Sequence, residues 1–120
     1  MVDNEEYDKW LKQAGADLRT AENSLKSEDY YASVFWCQQA VEKGLKALWL
    51  SKGNELIRTH DLIALGKKVG LPEKYYKVSA ELSLLYTKVR YPVAEEFEKS
   101  SVDNFINFVG EVLEWIEKEM

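Results

Sequence analysis

Hydrophobic residues along most of the chain recur at intervals of three and four, which is the spacing of one face of an α-helix. From Asn4 to about Lys26 these residues fall on one narrow face, and most charged side chains point away from it. The apolar set is Tyr7, Trp10, Leu11, Ala14, Leu18, Ala21 and Leu25. The pattern predicts an amphipathic first helix, followed by a short turn over residues 27–29.

A second segment, from about Tyr30 to Ser51, has a much wider apolar arc, and Gly53 stands near its expected C-terminal cap. Its hydrophobic arc comprises Val34, Cys37, Ala40, Val41, Gly44, Leu45, Ala47 and Leu48. A helix that is apolar over half its circumference has neighbours on more than one side. We therefore expect this helix at the centre of a bundle, with Gly44 allowing a close helix crossing.

A short third helix is predicted after the sequence Thr-His-Asp. Thr59 or Asp61 is placed to cap its N-terminus, because both side chains can accept hydrogen bonds from first-turn N–H groups. The helix should end near Gly66 or Gly70, where glycine can adopt a left-handed cap.

Two further long helices complete the prediction. Pro72 stands at the opening of the fourth helix, and Pro92 ends that helix by biasing the preceding residue to an extended backbone. A polar link follows, and the last helix begins near Ser101. No segment has strand-like alternation. The prediction is all-α: a single domain over residues 1–120, built as an antiparallel up-and-down four-helix bundle with an additional short helix.

A polar stripe runs along the second helix at four-residue spacing, formed by Gln38, Glu42 and Lys46. Its flanking aromatic residues are Tyr31, Phe35 and Trp49. Three interpretations are open: a solvated face, a self-association or partner face, and a groove for a small ligand or nucleotide. Interleaved aromatic and polar side chains are typical of interfaces and ligand grooves. We take Tyr31, Phe35, Gln38 and Trp49 as interface candidates.

Composition and charge reduce the number of protein classes to which the chain could belong. The chain has 120 residues, a net charge of −5 and 46% hydrophobic residues, which is ordinary for one folded domain. The negative charge argues against non-specific coating of DNA, since that affinity comes from Lys and Arg neutralising phosphates. One cysteine cannot form an internal disulfide, and neither a signal peptide nor a membrane-spanning run is visible. We expect a cytoplasmic protein that does not bind membranes.

The residue types of the chain give little support for a metal site or a cofactor site. With one histidine and one cysteine, a Cys/His zinc site within a single chain is excluded. Glu95, Glu96 and Glu98 are interpreted as a solvated charge run. No glycine-rich phosphate loop is present, and Cys37 lies on the apolar arc as a buried, inert thiol. We expect no metal and no cofactor.

Three stretches in order resemble the HEPN domain family of prokaryotes: ADLRTAENSLKSEDYYASVFWCQQAVEKGLKAL, then RTHDLIALGKKVG, then LYTKVRYP. The resemblance covers nearly the whole chain. It implies a helical bundle that is commonly a homodimer. It also implies pairing with a small nucleotidyltransferase, often in a toxin–antitoxin module. The domain is similar to the substrate-binding helical part of kanamycin nucleotidyltransferase-like enzymes.

Many HEPN proteins are metal-independent ribonucleases, and the resemblance raises that activity for this chain. Their motif places an arginine a short spacer before a histidine, so that the histidine moves the 2′-hydroxyl proton and the arginine stabilises the phosphorane charge. Before His60 the corresponding positions hold residues 53–55, Gly-Asn-Glu, and after Arg90 they hold residues 95–97, Glu-Glu-Phe. The motif is absent in this form, so we predict no catalytic residues.

The remaining candidates are ligand-binding ones. Matched to the family, the positions of interest are Glu42, Lys46, His60, Asp61 and Arg90. His60 could orient its turn, bind a ligand or act in acid–base catalysis. Arg90 could serve as a structural ion-pair residue or as a phosphate anchor.

Three functions follow as hypotheses. The first is a non-catalytic binding and assembly protein, homodimeric and partnered with a small nucleotidyltransferase, with nucleotide or RNA as a further ligand. The alternative is a divergent ribonuclease toxin that uses Arg90 and His60. The third is a nucleotide-binding regulator without a partner enzyme.

Overall fold

The computed structural model of the protein describes residues 4–88 and 97–120, with side chains from residue 6 onward. Its five α-helices are α1 (Asn4–Lys26), α2 (Tyr30–Ser51), α3 (Leu62–Val69), α4 (Tyr76–Lys88) and α5 (Lys99–Glu119). A 3-10 turn, Glu73–Tyr75, precedes α4. The described residues contain no strand, which confirms the predicted all-α bundle.

The predicted bounds of α1 and α2 agree with the structure, and α5 begins two residues earlier than expected. Helix α4 begins after the 3-10 turn rather than directly at Pro72. The proline has no N–H and a fixed φ of −56°, and its carbonyl accepts from the Tyr75 N–H at 3.0 Å in an i→i+3 bond. The predicted end of α4 before Pro92 lies outside the described residues.

The short helix α3 has the predicted caps. Asp61 is its N-cap, and the Oδ1 atom accepts from the N–H groups of Ile63 at 2.9 Å and Ala64 at 3.3 Å. Gly70 closes the C-terminus at φ +72°, in the left-handed region that glycine adopts without strain. Asp61 rather than Thr59 is therefore the cap.

Helix α2 lies at the centre, in contact with α1, α3, α4 and α5. Helices α3 and α4 pack on one side of it, and α1 and α5 on the other. Gly44 allows the close crossing with α5, since a Cβ there would stand 2.7 Å from Leu113 Cδ2 and 2.9 Å from Ile116 Cδ1. The fully buried core comes mainly from the apolar arcs of α2 and α5: Val34, Cys37, Val41, Leu45, Val102, Val109, Val112 and Ile116.

Candidate functional site

The polar stripe of α2 is buried inside the chain. Gln38, Glu42 and Lys46 are only 0%, 3% and 5% exposed. The stripe is contacted by His60 of the connecting segment, residues 52–61, and by Trp10 of α1. A buried polar group is costly unless it finds a hydrogen-bond partner, so this stripe must be satisfied within the fold. For these three residues the structure excludes a solvated face.

The Glu42 carboxylate satisfies the stripe by accepting from three donors. Its Oε2 lies 3.0 Å from the Lys46 ammonium. Its Oε1 lies 3.2 Å from Gln38 Nε2 and 2.9 Å from His60 Nδ1. Because two nearly buried charges are paired and hydrogen-bonded here, removing either one would leave the other uncompensated.

His60 is held to this network by both its side chain and its backbone. Gln38 Nε2 donates to the His60 carbonyl at 3.0 Å. A carboxylate oxygen only accepts, so the Nδ1 atom facing Glu42 carries the proton. The other ring nitrogen, Nε2, has no hydrogen-bond partner among the described residues. The His60 side chain is 63% exposed. The arrangement presents an oriented imidazole at the surface.

Two surface cavities meet at His60. The first, of about 380 Å³, is lined by Trp10, Lys46, Leu56, Ile57, Arg58, Thr59 and His60. The second, of about 510 Å³, is lined by His60, Asp61, Ser83, Leu84, Tyr86 and Thr87. Both fall in the size range of small-molecule sites. The imidazole therefore stands at the boundary of two concave surfaces.

The aromatic flanks of the stripe differ in exposure. Phe35 is half-buried and stacks on Tyr86 with ring centroids 5.6 Å apart. Trp49 is half-buried, and its indole N–H donates to the Glu55 carbonyl at 2.9 Å. Tyr31 is 56% exposed. Among the predicted interface residues, Tyr31 is thus the one with most of its side chain available to a partner.

Comparison with known proteins identifies the family of this fold. The family model described as HEPN domain matches residues 7–119. The chain belongs to the HEPN domain family. The comparison with curated proteins gave no match.

Two solved structures support the assignment. The HEPN chain is 27% identical to TT1696 from Thermus thermophilus, with a TM-score of 0.85 and coverage of 95% of this chain and 98% of that one. It is 28% identical to ST0689, an archaeal HEPN homologue, with a TM-score of 0.79 and coverage of 93% and 95% respectively.

The HEPN fold brings four of the five predicted ligand-binding positions together. Glu42, Lys46 and His60 form the network, and Asp61 follows directly as the exposed cap of α3. Arg90 lies outside the described residues. The described residues contain no cluster of His, Cys, Asp or Glu that could hold a metal ion. None of the described helices combines the length and hydrophobicity needed to cross a bilayer.

Of the seven residues that line the first cavity, the sequence-based ligand candidates include only Lys46 and His60, and Trp10 and Arg58 are among those missed. Trp10 was assigned to the packed face of α1, and its position opposite the connecting segment depends on tertiary folding. Arg58 does not belong to the candidates predicted from the sequence. A signal was available: in an extended segment, residues two apart point to the same side, so Arg58 and His60 should share a surface.

A second, partly buried ion pair also escaped prediction. Lys43 Nζ lies 2.6 Å from Asp17 Oδ2, and Gln13 Nε2 donates to Asp17 Oδ1 at 2.9 Å. The pair links α1 to α2 beside the stripe. Asp17 alone on an apolar helix face was the available signal, because a buried carboxylate requires a cation or several donors.

Proposed function

We propose that this HEPN protein is a non-catalytic binding and assembly protein that forms a homodimer and pairs with a small nucleotidyltransferase in a toxin–antitoxin type module. The observation that carries the proposal is the attachment of His60, the chain's one histidine, to Gln38 and Glu42. These contacts give the histidine a structural task, which is to hold the connecting segment over α2.

The sequence supports the same proposal. The family's arginine–spacer–histidine pattern is absent around both His60 and Arg90. The negative net charge of −5 disfavours a protein whose main ligand is a long polyanion. Without that pattern, the homodimer and the nucleotidyltransferase pairing are what the family resemblance still implies for this chain.

Co-purification tests this proposal. The protein is expressed together with the product of the adjacent reading frame, and the mass of the purified complex is measured. We expect a complex that contains two copies of the HEPN chain and the nucleotidyltransferase. Recovery of the HEPN chain alone, as a monomer, would overturn the proposal.

A point variant tests the predicted self-association. Tyr31→Asp places a charge on the most exposed of the interface candidates, so we expect a weaker dimer with unchanged helical content. Met120→Asp, at an exposed residue at the far end of α5, is the control. Light scattering over a dilution series measures both. Equal dimer strength in the two variants would remove Tyr31 from the interface.

A second candidate function, a divergent ribonuclease, is favoured by one observation: the His60 imidazole is exposed and oriented by a buried carboxylate. In such an enzyme His60 Nε2 would take the 2′-hydroxyl proton, and the Arg90 guanidinium would stabilise the phosphorane charge.

The two functions are separated by incubating the protein with single-stranded RNA in the presence of a metal chelator. The assembly proposal expects no cleavage above buffer. Cleavage that disappears in both His60→Gln and Arg90→Gln would favour the ribonuclease. The glutamine at position 60 keeps a donor for Glu42, so loss of activity would not simply report unfolding.

A further inference from the structure

The first cavity beside His60 combines a cationic side with an apolar wall. Its cationic side carries Arg58 and Lys46, and its wall carries Trp10, Leu56 and Ile57. No Asp or Glu is among the described residues that line it. On a chain with a net charge of −5, a cavity whose described lining has cations and no carboxylate is a favourable place for an anion.

The two cations of the cavity are not equivalent. Lys46 is neutralised by Glu42 at 3.0 Å, and both side chains are nearly buried. Arg58 is exposed and makes no hydrogen bond or ion pair with any residue that the structure describes. The cavity therefore offers one unpaired positive charge, which matches a monoanion. A guanidinium presents several N–H donors in a planar fork and suits a carboxylate.

A neighbouring hydroxyl adds a second donor. The Thr59 Oγ1 atom accepts from the Asp61 N–H at 3.2 Å, which leaves its own O–H to donate. Thr59 and Arg58 both line the cavity.

The apolar wall of the cavity determines which uncharged group of a ligand fits beside its anionic group. Trp10 is half-buried with the Lys46 ammonium 5.6 Å from its ring centroid, and Leu56 is one of the few large hydrophobic side chains left exposed in the described part of the chain. An indole face beside aliphatic side chains favours a flat apolar body.

We propose that this cavity binds a small aromatic carboxylate, with the carboxylate held by Arg58 and Thr59 and the ring packed against Trp10, Leu56 and Ile57. The second cavity is a poorer anion site because the exposed carboxylate of Asp61 lines it. Another surface cavity, of about 260 Å³, is lined by Lys9, Trp10, Gln13 and Lys43, and its Lys43 is already paired with Asp17.

Titration followed by NMR tests the proposal on the full chain. The probes are benzoate, its uncharged analogue benzamide, acetate, which lacks a ring, and phenyl phosphate, which carries a second negative charge. We expect saturable shifts of the Trp10 indole N–H signal, assigned with Trp10→Phe, with benzoate binding most tightly. Benzamide or acetate binding as well as benzoate would overturn the assigned chemistry. Tighter binding of phenyl phosphate would overturn the choice of a monoanion.

Matched variants locate the site. Arg58→Gln should weaken benzoate binding by about tenfold or more, because a charge-assisted hydrogen bond is lost. Arg19→Gln, at an exposed arginine of α1, is the control and should leave binding unchanged. Leu56→Gln, also at an exposed position, should weaken binding through the wall. Unchanged binding in both Arg58→Gln and Leu56→Gln would place the ligand elsewhere and sink the proposal.

Discussion

The contribution of a buried polar side chain to the stability of this protein depends on whether it has a hydrogen-bond partner. Ser33 and Ser79 are both fully buried. Ser33 Oγ donates to the Ala21 carbonyl at 2.8 Å and so joins α2 to α1. Ser79 Oγ has no hydrogen-bond partner among the described residues. The Ser33 hydroxyl therefore raises the free energy of unfolding, whereas the Ser79 hydroxyl lowers it.

The serine pair gives a matched prediction. Ser79→Ala removes an unsatisfied hydroxyl and should raise the free energy of unfolding by about 1 kcal/mol. Ser33→Ala removes a made bond and leaves a carbonyl with one acceptor interaction fewer, so it should lower that free energy by about 1 kcal/mol. Urea denaturation measures both changes. Destabilisation by Ser79→Ala would show that its hydroxyl has a partner.

Cys37 gives a prediction about pH. Burial, and to a smaller extent the charge of Glu22, raises the pKa of its thiol from 9.0 to about 12. The unfolded chain therefore ionises first as the pH rises. The stability that the neutral buried thiol contributes is fully present below pH 9 and is lost between pH 9 and about 12.

Comparison with Cys37→Ala isolates this effect from the other groups that titrate in alkali. Between pH 8 and pH 10 the stability of the wild type relative to Cys37→Ala should fall by about 1 kcal/mol, measured by urea denaturation. A stability difference that stays constant over this interval would mean that the folded thiol ionises as readily as the unfolded one.

At the scale of elements, the helices could be predicted well from the sequence. The burial of the polar stripe beneath the connecting segment could not. Helix periodicity and caps are local, so α1, α2 and the Asp61 cap followed from the residues nearby. The contacts of Glu42 with His60 and of Gln38 with the His60 carbonyl span 18 and 22 residues. One helix wheel looks the same whether its polar stripe faces water or a distant segment of the same chain.

The crossing of α2 and α5 gives a prediction for elements. Gly44→Val should cost about 1–3 kcal/mol, because its side chain needs the space held by Leu113 and Ile116. Gly110→Val, in the middle of α5, is the control, since no atom within 4 Å opposes a Cβ there. We expect the control to change stability by less than about 0.5 kcal/mol. Equal effects at both glycines would contradict a close crossing.

At the scale of the whole molecule, α2 connects the bundle, because it packs against all four other described helices. It buries its apolar arc against the other helices and its polar stripe beneath the connecting segment, so little of its surface remains free. A partner that contacts α2 therefore has Tyr31 as an accessible side chain, and the cavities beside His60 lie at the edge of the connecting segment. The homodimer and the nucleotidyltransferase partner stay predictions, which the co-purification experiment tests, and the cytoplasmic location also stays a prediction.

The central claim is that Glu42 forms a nearly buried network with Gln38, Lys46 and His60, and that this network stabilises the fold. A pair of variants tests the claim most directly. Urea denaturation is measured for Glu42→Ala and for the double variant Glu42→Leu with Lys46→Met. The single variant leaves the Lys46 ammonium buried without its counter-ion and should lose about 3–5 kcal/mol, whereas the double variant should recover most of that loss. A single variant within about 0.5 kcal/mol of the wild type, as exposed charges give, would contradict the account.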